Sequence, residues 1–395
     1  MLLSARETAE LLGIKLDTLY AYVSRGLLTS IETADSRERH YDAEDVERFR
    51  TGRGGGRGAR ARAEALMPVI GSAICLIEDH HFYYRGRDAL ELAATASLED
   101  VAALLWNDEA PRAPTLTRLR GRVRVEVEGV IERCQIRLAE LAASDLAALD
   151  LTRPGIVRTG GLILGELAAA VADAEPFALP VHRRLAKVWN LDEAGADLVR
   201  RCLVLLADHE LNASTFVARC VASTGATPYA VVSGALAALS GRRHGGASAR
   251  VEALCREFSG VGDPMAAMAA RLARDEALPG MGQPLYPDGD PRATAILAAA
   301  RLAVPAKGEW IAEVAEAATR LTGEQPNVDF GLGVTAAVLG LPQGAALGIF
   351  LIARSVGWIA HAIEQYESGV LIRPRARYIG KRPNDKATSG VGSAK

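Results

Sequence analysis

Residues 330–353 carry no charge, an uninterrupted run of 24 bracketed by Asp329 and Arg354. A stretch of that length either crosses a bilayer or must be covered by the rest of the chain. Leu341-Pro342-Gln343-Gly344 breaks it midway, and Gly331, Gly333, Gly340 and Gly348 are spread through it. Proline removes a helical donor and glycine punctuates the turn. The run therefore predicts two buried helices joined at the Pro-Gly turn, with no membrane as partner. Covering two such helices takes a large apolar body. The 395 residues are enough for two or three domains at about 150 residues each.

Composition supports a globular chain. Hydrophobic residues make up 49% and charged residues 24%, which excludes disordered, collagenous and small stapled classes. A net charge of −2 gives no global field for a polyanion. The five cysteines, Cys75, Cys134, Cys202, Cys220 and Cys255, are odd in number and lack CxxC spacing, so they read as reduced thiols. Charge arrives at Arg6, and Glu7 and Glu10 follow, so no signal or transit pattern opens the chain. The expected location is the cytoplasm.

Residues 1–49 form a module with its own signals. Ser4-x-x-Glu7 is a capping box for a helix to about Leu12, ended by Gly13. Asp17 is placed to cap a second helix over 18–24. Two short helices around a glycine match the helix-turn-helix layout. Residues 29–41 read as a wing, and Asp42 as the cap of a third helix through Phe49. Residues 50–62 then hold five arginines, five glycines and no acid, which makes 50–63 a flexible linker.

From about residue 64 the pattern is helical, with clear periodicity over 98–106, 161–172, 197–207, 214–223, 293–303 and 310–322. Strand signals are few, the best being a hairpin over 73–77 and 82–84 with its tip at 78–81. The fold class is all-α. Polar residues grouped inside this apolar body are where chemistry is sought. They are Asp208-His209-Glu210-Leu211-Asn212-Ala213-Ser214, His244 between glycines, Gly280-Met281-Gly282-Gln283, Asp290-Pro291-Arg292, Pro326-Asn327-Val328-Asp329, Arg354, and Arg373, Arg375 and Arg377. By itself, His244 reads as a loop residue more often than a catalyst, and Asp329 could cap the helix that follows it. His80-His81 is too short for a metal site, and no metal is expected. His40, His182 and His361 receive no functional role.

Taken in order, these pieces over residues 64 to 382 resemble the citrate synthase family. The resemblance rests on Tyr84-Arg85-Gly86, the 208–216 segment, His244-Gly245-Gly246, Gly280-x-Gly282 with Tyr286 and Asp290-Pro291-Arg292, Pro326-Asn327-Val328-Asp329, Arg354 with Trp358 and His361, and Arg373-Pro374-Arg375. It implies a large helical domain (64–247 and 350–395), a smaller inserted helical domain (248–349), a homodimer and an active site in the cleft between the domains. The reaction implied is condensation of acetyl-CoA with oxaloacetate to citrate and CoA, with no cofactor beyond the acyl-CoA substrate. Asp329 matches the base that takes the methyl proton, and His244 the donor to the thioester oxygen. His209, Arg292, Arg354 and Arg375 match ligands of oxaloacetate, the last reaching across the dimer. Asn212 and Ser214 match polar groups that line or orient the site, and Leu278, Pro279, Gly280, Met281 and Gly282 match the loop that receives CoA.

One position departs from the family. Gln283 stands where the family carries a histidine that polarises the ketone, which predicts weaker polarisation because an amide donates but cannot become a cation. Propionyl-CoA, giving 2-methylcitrate, is a close alternative, since one methylene is discriminated by only about 1–3 kcal/mol. A different class is also open: a catalytically impaired regulator that senses a metabolite and binds DNA. The N-terminal module resembles winged helix-turn-helix domains of MerR-type regulators, with Arg25, Arg37 and Arg39 as candidate DNA contacts. Residues 1–62 carry a net of only +1, which weighs against a basic DNA-reading face.

Overall fold

The structure, a computed structural model, describes residues 2–14, 16–24, 28, 30–32, 39–43, 46, 70–78, 80–108, 127–175, 178–259, 262–376 and 378. Two compact units are present: Met1–Gly71 with Ala376–Lys395, and Ser72–Arg375. Arg25, Arg37, Arg377 and the linker at 50–63 lie outside the described residues.

In the first unit, β1 (Leu2–Ser4) leads directly into α1 (Ala5–Leu12). The capping box forms in full: Glu7 N donates to Ser4 Oγ at 3.3 Å and Ser4 N to Glu7 Oε2 at 2.8 Å. Gly13 ends the helix in the left-handed region, φ 64°. Helix α2 (Leu16–Ser24) begins two residues earlier than the capping pattern suggests. Asp17 therefore lies in its first turn and is not its cap, a shift of the size local signals leave open. Strands β2 (Ile31–Glu32) and β3 (Arg39–Asp42) pair antiparallel in a sheet of order β1-β3-β2, where a wing is expected. Asp42 ends β3, and most of the expected third helix lies outside the described residues. Ala9, Leu19, Leu28, Tyr41 and Val46 form this unit's own core.

The second unit opens with a small sheet, β4 (Cys75–Glu78), β5 (His81–Tyr84) and β6 (Arg87–Asp88), in sequential antiparallel order. Helices follow: α3 (Ala89–Thr95), α4 (Leu98–Trp106), α5 (Val130–Ser144), α6 (Arg153–Ala172), α7 (Val181–Val188) and α8 (Glu193–Leu206). Next come α9 (Ala213–Ala222), α10 (Pro228–Leu239), α11 (Gly246–Phe258) and α12 (Pro264–Leu272). The last four are α13 (Pro291–Ala303), α14 (Gly308–Thr322), α15 (Val328–Val338) and α16 (Ala345–Ser368). The segments with helical periodicity all become helices, so their apolar stripes coincide with buried faces. The expected domain limits at 247/248 and 349/350 fall inside α11 and α16.

The uncharged run becomes α15, a turn, and the first part of α16. Both α6 and α16 are long and apolar enough to cross a membrane, yet the most apolar window of α16 is wholly buried within the fold. Helices α4, α5, α6, α8, α9, α10, α11 and α15 surround α16. Close approach requires glycine at one point. Gly357 N donates to Ala207 O at 3.0 Å, and a Cβ there would overlap Ala207 O and the Asp208 carboxylate. The obstruction is backbone, which cannot swing aside as a flexible side chain could. Gly357→Ala is expected to cost about 1–3 kcal/mol, the usual penalty of overpacking. Urea unfolding checks this, and an unchanged midpoint would show that the α16 contact is looser than described.

Candidate active site

Helix α8 delivers the chain to Ala207, and the polar segment that follows turns into α9. Asn212 is the N-cap of α9: its Oδ1 accepts from Thr215 N at 3.1 Å and lies 2.9 Å from Ser214 Oγ. Ser214 Oγ also meets His244 Nε2 at 2.8 Å and accepts from Trp358 Nε1 at 3.2 Å. The hydroxyl has one proton to place. Given to Asn212 Oδ1, it makes His244 Nε2 the donor to Ser214; given to His244 Nε2, it puts the ring proton of His244 on Nδ1. His244 lies in the turn before α11, with its ring edge-on to Phe350 at 5.9 Å. Burial, with Arg354 adding to it, pushes its pKa down to about 4.

Asp329 stands in the first turn of α15. The cap of that helix is Asn327, whose Oδ1 accepts from Asp329 N at 3.0 Å, so the carboxylate is not spent on capping as the plain reading of the sequence allowed. Instead Ser248 Oγ donates to Asp329 Oδ1. Burial raises the Asp329 pKa, while the Ser248 hydrogen bond and the positive charge of Arg292 oppose the rise.

The 278–282 loop is fastened to the head of the same helix. Gly282 N donates to Gln325 O at 2.8 Å, Asn327 N to Gly280 O at 2.8 Å, and Asn327 Nδ2 to Gly282 O at 3.0 Å. Gly280 has φ +85°, and a Cβ there would press on Val251 and Phe330. The loop and the Asp329 turn are thus one hydrogen-bonded piece. Leu278 and Gly280 are buried, while Pro279, Met281 and Gly282 are half-buried. Gln283 is half-buried too, and its Oε1 accepts weakly from Leu285 N at 3.4 Å.

Arg292 is buried and already paired. Its Nε and Nη2 donate to Asp290 Oδ1 and Oδ2 at 2.9 and 2.8 Å. Asp290 Oδ2 also accepts from Val328 N at 3.1 Å, joining the head of α13 to that of α15. Arg354 is buried in α16, with Nε donating to Leu206 O at 2.8 Å and its guanidinium 5.0 Å from the Phe350 ring centroid. His209 Nε2 lies 2.9 Å from Tyr286 Oη. Burial, reinforced by Arg292 and Arg354, holds the His209 pKa well below the usual range.

These influences tie the set together: Arg292 acts on His209 and Asp329, and Arg354 on His209 and His244. The structure therefore gathers His209, His244, Arg292, Asp329 and Arg354, with Asn212 beside His244. Arg375 stands apart, exposed in the segment after α16. Sequence reasoning missed Ser248, which a close look at its spacing four residues after His244 could have raised. It also missed Asp290 as the counter-ion of Arg292, although the two lie two residues apart at a helix start.

Comparisons with known proteins follow the same lines. Residues 65–160 and 162–375 match the family model described as citrate synthase, C-terminal domain. Residues 3–53 match that of the MerR HTH family regulatory protein. The 2-methylcitrate synthase of Mycobacterium tuberculosis is 32% identical over 339 residues, covering 75% of this chain and 84% of its own. The citrate synthase of Haloferax volcanii is 32% identical over 347 residues, covering 76% and 90%. The crystal structure of citrate synthase from Thermotoga maritima is similar with a TM-score of 0.64 at 25% identity, covering 80% of this chain and 94% of that one.

The buried histidines make stability depend on pH. Burial takes the His244 pKa to about 4 in the folded chain, from the ordinary histidine value of 6.5. Between those values the unfolded chain binds a proton that the folded chain does not, so stability falls as pH drops through that window. His182, also lowered to about 4, acts in the same direction. His244→Gln is expected to lose less stability than the natural chain between pH 7 and pH 4.5. Denaturant midpoints at the two pH values check this, and equal losses would mean His244 is not held neutral.

Proposed function

The chain belongs to the citrate synthase family, and from that premise we propose that it condenses an acyl-CoA with oxaloacetate. Acetyl-CoA giving citrate is the first reading, and propionyl-CoA giving 2-methylcitrate is the second. Relatives bearing both names match at equal identity, so the acyl group is a matter for assay. The observation that carries the proposal is the convergence of a serine-held neutral His244 and a serine-held Asp329 beside two buried arginines.

In this reading Asp329 takes a proton from the carbon next to the thioester carbonyl. A carboxylate with a raised pKa is the stronger base, and positioned base catalysis contributes about 10²–10⁴-fold. With the Ser214 proton directed to His244 Nε2, the ring proton on Nδ1 is offered to the thioester oxygen as negative charge gathers there. Such a donor is worth about 10²–10³-fold in rate. A neutral ring suits this role because it donates without first giving up a proton to Asp329. The enolate carbon then bonds to the ketone carbon of oxaloacetate, and water cleaves the resulting thioester to release CoA.

Arg292, Arg354 and His209 are the proposed ligands of oxaloacetate, with Arg375 supplied by the second subunit of a homodimer. Arginine suits a dianion because its planar fork pairs carboxylate oxygens and stays charged when buried. Asn212, capping α9, orients Ser214 and through it His244. The 278–282 loop is proposed to receive CoA, and its hydrogen bonds to 325–327 would tie CoA binding to the placement of Asp329. Gln283 would offer its amide N–H to the ketone oxygen, a neutral donor where a histidine could share positive charge. The proposed location is the cytoplasm, and no further cofactor is required.

The N-terminal match favours a second activity beside the first. We infer that the module contacts DNA, with Arg39 exposed on β3 as a phosphate or groove contact. Arg25 and Arg37 are its partners in that proposal. Binding to duplex DNA should then weaken steeply between low and moderate salt. Affinity too low to measure even at low salt would refute it.

Release of thiol from acetyl-CoA or propionyl-CoA, dependent on oxaloacetate, tests the main proposal. Absence of release with both, at high protein concentration, would overturn it. Gln283→His is expected to raise the condensation rate. An unchanged or lower rate would mean that glutamine is adapted to another reaction.

A further inference from the structure

Asp208 is fully buried, yet neither of its carboxylate oxygens receives a hydrogen bond among the described residues. Its backbone is pinned. Asp208 N donates to Tyr84 Oη at 3.3 Å, and Tyr84 passes its own proton to Val204 O at 3.0 Å. The carboxylate rests over Gly357 of α16, where any side chain would overlap it. Arg354, Gly357 and His361 fall on one stripe of that helix, so Asp208 lies between a guanidinium and an imidazole.

The imidazole's tautomer follows from its other neighbour. Arg219 Nη1 lies 3.2 Å from His361 Nδ1, and an arginine can only donate. Nδ1 therefore accepts, and the ring proton sits on Nε2, 3.4 Å from Asp208 Oδ1. Arg219 is matched elsewhere, donating to Glu364 Oε2 at 2.8 Å and Gln365 Oε1 at 3.0 Å. That leaves Arg354 as the cation for Asp208 to balance. Arg354 Nη1 is itself buried with no acceptor among the described residues. Burial works against the charge on Arg354 and Arg292 adds to the strain, while Asp208 is the largest influence in its favour.

We propose that Asp208 is a positioning residue for dicarboxylate binding: its carboxylate is the counter-charge that lets the Arg354 guanidinium stay buried beside the site, and His361 Nε2–H faces that carboxylate across 3.4 Å. This rests on the reading of Arg354 as a ligand of oxaloacetate. The two roles Asp208 could play differ in sign. A bare negative charge near an anion site repels the ligand, so its removal would tighten binding. A residue that balances the arginine's charge would, on removal, loosen binding, because the buried guanidinium loses its counter-charge.

The test is calorimetric titration of the full-length protein with oxaloacetate and, separately, with acetyl-CoA. Asp208→Asn keeps the shape and removes the charge. The expected result is oxaloacetate affinity lower by about tenfold or more, with acetyl-CoA affinity within about twofold. Equal or tighter oxaloacetate binding would overturn the proposal, as would an equal loss for both ligands. Should that variant fail to fold, His361→Gln, which keeps an N–H toward Asp208, is expected to bind near the natural level. His361→Leu, which does not, is expected to bind several-fold more weakly. Identical affinities for those two variants would overturn the proposal as well. Failure of the natural protein to bind oxaloacetate would instead remove the functional reading on which the proposal stands.

Discussion

A guanidinium inside the buried stretch of a helix is the constraint on which much of this fold depends. Arg354 sits on α16 with helices packed around it, and an uncompensated charge in such a place is too costly to keep. Its compensation comes from three directions: Leu206 O on Nε, the Phe350 ring face, and the Asp208 carboxylate nearby. The first and third of these need the end of α8 and the segment after it to lie close on α16. Gly357 permits that approach by having no Cβ. The packing of the core and the electrostatics of the site are therefore set at the same contact.

The rest of the site repeats a simple device, in which a short polar group holds a titratable one. Ser214 fixes His244, Ser248 fixes Asp329, Tyr286 meets His209 and Asp290 clasps Arg292. Burial with nearby arginines keeps His209 and His244 neutral at ordinary pH. The same burial lifts the pKa of Asp329. Weak acids and bases are brought toward a working range by low dielectric and are kept there by specific neighbours. Asp290 adds a mechanical link, because one carboxylate ties Arg292 to the head of the helix that bears Asp329.

Much of the fold was legible residue by residue. Ser4 with Glu7 and Gly13 marked both ends of α1, and the Pro342–Gly344 break separated α15 from α16. Those signals are local hydrogen-bonding preferences, so they survive without knowledge of the rest of the chain. Asp17 shows the limit of the same logic, since a capping type of residue within the first turn of a helix looks identical in sequence. Asp329 shows it at the site. Only the observed bond from Asp329 N to Asn327 established which residue caps α15 and left the carboxylate free for Ser248. Asp208 and His361 gave no signal as a pair, because one lies in the segment after α8 and the other on α16, distant in the chain.

The uncharged run bracketed by Asp329 and Arg354 determined, without any structure, that two apolar helices must be covered by a large helical body. The ordered motifs around it determined the family. Hydrophobic period and residue identity suffice for both, since each is a property of neighbours along the chain. Tertiary structure alone decided which group would answer each of the two bracketing charges. Ser248 of α11 reaches Asp329 of α15, and the Asp208 carboxylate rests over Gly357, one turn along α16 from Arg354. Such contacts depend on interhelical distances of a few ångströms, and no spacing along a single chain encodes those separately from the packing of the whole.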